Sequence, residues 1–255
     1  MADVTLTYKG ATIAELDDSG SKTLRTAGKY CEADIGVEYV KPSGGYTVDQ
    51  LAQQGYPIGA IELSVTTVGE SCFQRRNQIT SVRAPNATYL APSAFGYCTS
   101  MVSLFAPNAT VGDRVAEHCT SLTTAVVKGA HYFSSYIFRF DSALAVCDWT
   151  GSVGIGKENF TGCSSLATVI LRSPTIVALG NIYAFNSTPF ASGGTGGTIY
   201  IPKTLYDHLG DGSSLDYKAA TNWATVHGYG TITWAAIEGS IYETQYADGT
   251  PIPTE

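Results

Sequence analysis

The stretch Gly151-Ser152-Val153-Gly154-Ile155-Gly156-Lys157-Glu158 falls one residue short of a phosphate-binding loop. Such a loop cradles phosphates with glycine N–H groups and a lysine, and holds Mg²⁺ through a Ser or Thr directly after that lysine. Here Glu158 follows Lys157 and would set a carboxylate against the phosphates. Asn86, Asn108, Asn159 and Asn186 each open an Asn-x-Ser/Thr sequon, the acceptor pattern for N-glycosylation. The histidines, His118, His131, His208 and His227, lack paired metal-ligand spacing, and no two cysteines form a C-x-x-C pair. A Gly-x-Ser-x-Gly elbow is missing. Asp17-Asp18 and Asp207 with Asp211 fall in turn-like sequence, where Asp bonds its own backbone. The expectation is a non-enzymatic protein with no cofactor and no metal.

Bulk composition narrows the classes further. A net charge of -7 with no block of basic residues argues against nucleic acid, because phosphate binding needs clustered Lys and Arg. No run of about 18 apolar residues is present, so no membrane insertion is expected. The opening Met1-Ala2-Asp3-Val4-Thr5 shows no basic stretch followed by an apolar one, and suggests synthesis in a cytoplasm without an export address. Charged residues make up only 15%, beside 27 Gly and 16 Tyr, which reads as a β-rich chain with many turns.

What must position these residues is a repeat. The pentapeptide Ala-Pro-Asn-Ala-Thr occurs at 84–88 and again at 106–110. Aligning the copies places one aromatic slot at Phe73, Phe95, Ala116, Phe138, Phe160 and Phe185, with spacings of 22, 21, 22, 22 and 25 residues. Three residues after three of these slots stand Cys98, Cys119 and Cys163, while Asp141 takes the same place after Phe138. Leu122, Leu144 and Leu166 follow in register. Short β-branched runs at 79–82, 102–105, 124–127, 144–147 and 168–171 are the strand candidates. A single unit of this kind cannot bury its apolar side, so units stack around a continuous core. In that frame the sequons at Asn86 and Asn108 follow from repetition, and the loop glycines at 151–156 are accounted for as a turn. The slot cysteines are small buried hydrophobes, expected as free thiols; inter-turn disulfides are the alternative.

The motifs Ala94-Phe95-Gly96-Tyr97-Cys98 and Asn159-Phe160-Thr161-Gly162-Cys163-Ser164-Ser165-Leu166 resemble the BspA-like leucine-rich repeat family. The resemblance implies a β-rich α/β solenoid, a leucine-rich repeat of about five to six units, with Phe73, Phe95, Cys98, Cys119, Leu122, Phe138, Leu144, Phe160, Cys163, Leu166 and Phe185 in its core. Divisions follow at 1–42 for a small N-terminal β module, 43–59 for a linker and capping helix, 60–198 for the repeats, 199–240 for a C-terminal cap and 241–255 for a tail. Thr47-Val48-Asp49-Gln50 has the form of a helix-capping box. Leu205 and Leu209 follow Pro202 on one helix face, and Ser214 is placed to start a second helix carrying Leu215, Ala219, Trp223 and Val226. Residues 8–35 resemble a β module that opens tail and baseplate-associated proteins of phages and prophages of Gram-positive bacteria.

Tyr89, Tyr97, Tyr132, Tyr136, Trp149 and Tyr183 fall between core slots and are candidates for an exposed recognition face; the alternative is that they are core or cap. Together these readings suggest a virion structural protein of a tail, baseplate or fibre that displays a repeat surface to a host-surface glycan or protein. Its N-terminal module would join other virion proteins, and a homo-oligomer, guessed as a trimer, is expected. A bacterial BspA-like cell-surface adhesin is the alternative, and a glycan-active enzyme is the third class.

Overall fold

The computed structural model describes residues 4–8, 11–16, 23–24, 59–63, 66–152 and 154–253. Among these, strands β1 (Val4–Tyr8) and β2 (Ala11–Leu16) form a hairpin, and β3 (Thr23–Leu24) is a short piece. The repeat supplies β4 (Gly59–Leu63), β5 (Thr67–Val68), β6 (Ile79–Arg83), β7 (Tyr89–Leu90), β8 (Ser103–Val111) and β9 (Thr124–Ala130). It continues with β10 (Val146–Trp149), β11 (Thr168–Leu171), β12 (Gly197–Ile201) and β13 (Ile232–Ala236).

From β4 to β13 the long strands pair in parallel, each with the next turn's counterpart, as a β-solenoid requires. The β1–β2 hairpin continues the same sheet, with β1 antiparallel to β4 through Val4↔Leu63 and Leu6↔Ile61. The expected capping helix at 43–59, the Pro42–Gly45 linker and a strand at 35–40 lie outside the described residues.

Each turn has three legs: the long strand, a short second strand, and a loop that we call the arch, which carries the aromatic slot back to the next long strand. Inward residues of the long strands alternate with outward ones, so Leu104, Ala125, Cys147, Val169 and Ile199 share one apolar core. The two Ala-Pro-Asn-Ala-Thr copies stack on each other at the corner. Their alanines Ala84, Ala87, Ala106 and Ala109 are fully buried. Asn108 Nδ2 donates to Pro85 O at 2.9 Å, and Thr110 Oγ1 donates to Thr88 O at 3.3 Å. In this setting β8 runs on through its Pro-Asn-Ala-Thr stretch to Val111, six residues past the apolar run that marks it in the sequence. Asn159 is fully buried, which removes it as a glycan acceptor in the folded chain.

Slot aromatics stack along the axis: Phe73 on Phe95 at 5.4 Å, Phe138 on Phe160 at 5.8 Å, and Phe160 on Phe185 at 5.3 Å between ring centroids. Ala116 interrupts this column. Trp149 stands in the inward column of Ala106, Val127 and Leu171, is fully buried, and meets Phe160 at 6.2 Å. Its assignment to a recognition surface is therefore wrong: strand alternation points it to the core.

The C-terminal end is closed by Tyr217, Trp223 and Trp234, whose rings meet pairwise within 5.9 Å. Tyr217 OH accepts from Val177 N at 2.8 Å and Trp223 Nε1 donates to Val177 O at 2.7 Å, so the cap satisfies both backbone groups of one residue. Helix α1 spans Lys203–Tyr206 and α2 spans Trp223–His227. The second helix is thus much shorter than the apolar stripe from Leu215 suggests. Asp216 takes the N–H groups of Gly212 and Lys218 into turns, and Asn222 at φ 63 breaks the chain direction so that its side chain reaches Leu179 O.

Candidate recognition surface

The arch carries an unusual backbone. Two residues past each slot, Arg75, Tyr97, His118, Phe140, Gly162 and Ser187 all have positive φ; two residues before, so do Ser71, Ser93, Arg114, Tyr136 and Glu158. Apart from Gly162 these are side-chain-bearing residues held in the left-handed region, which costs about 1–2 kcal/mol each. What offsets the cost is a ladder along the axis: Arg75 N donates to Gly96 O, Tyr97 N to Glu117 O, His118 N to Arg139 O and Phe140 N to Thr161 O, all at 2.8–2.9 Å. The twist of the arch turns these side chains outward in two parallel columns.

Along the first column the Arg75 guanidinium lies 5.1 Å from the Tyr97 ring, Tyr97 stacks on His118 at 4.7 Å, and His118 meets Phe140 at 4.9 Å. Phe140 is 42% exposed and leans over Gly162, where an added Cβ would come within 2.6 Å of its ring. Beside it, Tyr136 is ringed by cations, with Arg139 at 4.4 Å, Arg114 at 4.9 Å and Lys157 at 5.9 Å from its centroid. Glu117 and Glu158 brace the cations from below. Arg139 Nε donates to Glu117 Oε1 at 2.7 Å, Arg114 lies 3.6 Å from Glu117, and Lys157 lies 3.6 Å from Glu158. The Tyr136 hydroxyl, followed by Glu158, holds the Lys157 ammonium above its ordinary pKa. The result is a line of flat aromatic and guanidinium faces spaced by the solenoid's own repeat, suited to stacking.

Of the sequence candidates, Tyr97 and Tyr136 stand in these columns, and Tyr183, 51% exposed, lies two residues before the last slot as Tyr136 does before Phe138. Tyr89 lies elsewhere, on the short second strand against His131 at 4.9 Å, and burial is the first cause raising its phenol pKa. The Tyr132 side chain lies outside the described residues. The core candidates Phe73, Phe95, Cys98, Cys119, Leu122, Phe138, Leu144, Phe160, Cys163, Leu166 and Phe185 are all buried. His118, Phe140, Arg75, Arg114 and Arg139 were not read from the sequence as surface candidates; the same 22-residue frame, shifted two places off each slot, marks all but Arg139, which lies one place past Phe138.

The near phosphate loop is built for packing. Gly154 lies under the Phe133 ring, Gly156 passes against the carbonyls of Phe133 and Ser134, and Ile155 bridges to Leu179 in the core. Among the described residues, no three His, Cys, Asp or Glu gather as a metal site, and no helix is long and apolar enough to cross a membrane.

The long strands show a second outward surface. Ser81, Ser103, Thr124, Val146, Thr168, Thr198 and Thr233 stand in register on neighbouring strands, a row of hydroxyls broken once. Two residues further along each strand runs a second row that is covered by the chain's own C-terminal segment.

Residues 66–191 match the family model of the BspA type leucine-rich repeat region, in six copies. The matched span encloses the frame from Phe73 to Phe185 and stops before the C-terminal cap. No curated protein matches the chain.

Proposed function

We propose that this chain is a non-enzymatic attachment protein, a structural component of a phage or prophage tail, baseplate or fibre, whose arch columns recognise a host-surface protein or glycan. BspA-type repeats point to surface or protein–protein interaction, and the observation that carries the reading is the Arg75–Tyr97–His118–Phe140 line. Rigid aromatics already fixed by stacking lose little entropy when a partner docks, so they suit recognition. The left-handed backbone that presents them is retained at a cost, as expected where a surface is displayed. The virion setting rests on the resemblance of residues 8–35 to tail-associated β modules, and several copies held together would raise a weak contact by about 10²–10⁴.

The test is twofold. Fluorescently labelled protein should bind host cells, and Tyr97→Ala with Phe140→Ser should lower that binding about tenfold or more without moving the melting temperature. Particles from an induced lysogen should carry the chain. Unchanged binding by the double variant removes the arch as the recognition surface; a chain found on the bacterial surface and not in particles replaces the virion reading with the adhesin.

A further inference from the structure

The outward row Arg83, Phe105, Val126, Asp148, Ile170 and Tyr200 crosses six adjacent strands in exact register. Residues 242–250 lie along it. At the centre the fully buried Asp148 takes Arg172 Nε and Nη2 on its two oxygens, both at 2.7 Å. The same guanidinium donates to Tyr242 O at 2.6 Å and to Gln245 O at 2.9 Å, and Ala247 N donates to Asp148 Oδ2 at 3.0 Å. At the far end Arg83 Nη1 bonds Asp248 Oδ2 at 3.1 Å and Thr250 Oγ1 at 3.2 Å. Tyr246 meets the Phe105 ring edge-on at 5.5 Å, and Tyr242 meets Tyr200 at 4.9 Å.

The covering segment is a hairpin in its own right. Tyr246 N donates to Thr250 O and Ile252 N to Thr244 O, Gln245 pairs antiparallel with Pro251, and Gly249 at φ 84 turns the tip beside Asp248. None of its residues enters the apolar core cluster. It joins the last strand through residues 237–240, where Gly239 has φ 83 and Glu238 is exposed. The face has the composition of a binding site, with buried charge, paired guanidinium donors and an aromatic anchor, and its occupant makes its own hairpin bonds and lies outside the apolar core cluster.

We propose that this face is a docking site for a pre-formed hairpin bearing a tyrosine and, two residues on, an aspartate, and that a second copy of this chain supplies that hairpin by exchange. Arg83, Phe105, Asp148, Arg172 and Tyr200 each meet a matching group of this sequence. An unplugged face exposes Phe105, Val126 and Ile170 beside the Asp148–Arg172 pair, and the identical hairpin of a neighbour restores every bond. Exchange through the 237–240 connection links copies without a new interface, which suits a multivalent protein.

A labelled synthetic peptide of residues 241–253 is titrated onto the full chain and onto Tyr246→Ala/Asp248→Ala, whose own hairpin is weakened while the face is intact. The peptide is expected to bind that variant at least about tenfold more tightly than the unaltered chain, since a tethered competitor acts at an effective concentration of about millimolar. Adding Arg172→Ala to the variant, or the two substitutions to the peptide, should abolish binding. Deleting Gly239 and Ser240 from the full chain should raise the share of dimer or larger species above that of the unaltered chain by light scattering. Peptide binding that is absent, or equal on both proteins, overturns the site. A shortened chain with the same size distribution as the unaltered chain overturns the exchange.

Discussion

The thiol of Cys163 donates to the main-chain oxygen of Phe138, one turn away, at 3.0 Å. Cys98 does the same to Phe73 O at 3.0 Å and Cys119 to Phe95 O at 3.1 Å. The cysteine three places past Phe95, Ala116 and Phe160 is therefore a donor that ties consecutive arches together, as well as a small apolar body. Burial pushes the Cys98 thiol up to about 12 and holds Cys119 and Cys163 well above the ordinary range. Cys98, Cys119, Cys147 and Cys163 are free thiols. They should resist a thiol-specific reagent until the chain unfolds, and reductant should leave the melting temperature unchanged. Cys163→Ala should cost about 1 kcal/mol in urea unfolding; intact mass revealing disulfides among these four would refute the donor role.

Asp141 occupies the cysteine place in the fourth slot. It is fully buried; Oδ1 accepts from Cys119 N at 2.7 Å, and Oδ2 has no partner. Burial first, then the nearby Glu117, raises its carboxyl pKa well above the ordinary value, with the Cys119 N–H pulling the other way. A raised folded-state pKa means that the protonated form is the one the fold favours. Stability from this group is present at low pH and is lost as pH rises from the ordinary carboxylate range to the folded value. Asp141→Cys should restore the slot donor and stabilise the chain by about 1–3 kcal/mol near neutral pH. The gain should be larger at pH 8 than at pH 4, and equal gains at both would exclude the protonation argument.

The slot aromatics differ in what surrounds them. Phe160 stacks on Phe138 and Phe185 and also touches Trp149, while Phe73 has Phe95 on one side. Phe160→Ala should cost about 3–5 kcal/mol, and Phe73→Ala should fall at or below the lower end of that range. Chemical denaturation of the two variants orders them directly.

Sequence spacing placed the slots, because a stacked core repeats its side-chain size with the turn length, and Phe95, Cys119 and Leu166 therefore recur on one frame. It also placed β11 at residues 168–171 without error. Trp149 was misread because the expected strand ended at Cys147 and left it between slots; the strand runs on to Trp149, two residues past the inward Cys147, and alternation turns it inward too. The hairpin over Asp148 left no local signal at all. Its anchors Arg83, Asp148 and Arg172 are separated from residues 242–250 by about 70 to 167 positions, and only folding brings them together. The arch columns were legible in spacing but not in conformation, since Arg75, Tyr97 and Phe140 are not residues that announce a left-handed backbone.

That conformation gives the sharpest test of the display surface. His118 sits at φ 61 between Tyr97 and Phe140, and its N–H holds Arg139 O at 2.9 Å. Glycine, alanine and valine here each remove both ring contacts, so these three variants differ chiefly in backbone cost. Glycine adopts the left-handed region freely, alanine carries the ordinary Cβ penalty of about 1 kcal/mol or more, and a β-branched side chain crowds its own backbone further. Thermal unfolding should therefore rank His118→Gly above His118→Ala and His118→Ala above His118→Val. Cell binding should fall in all three, because the aromatic line is broken in each. If His118→Gly melts lowest, left-handed strain at this position does not set the stability of the arch. If binding tracks melting temperature across the three, the column is a structural brace and not a recognition surface.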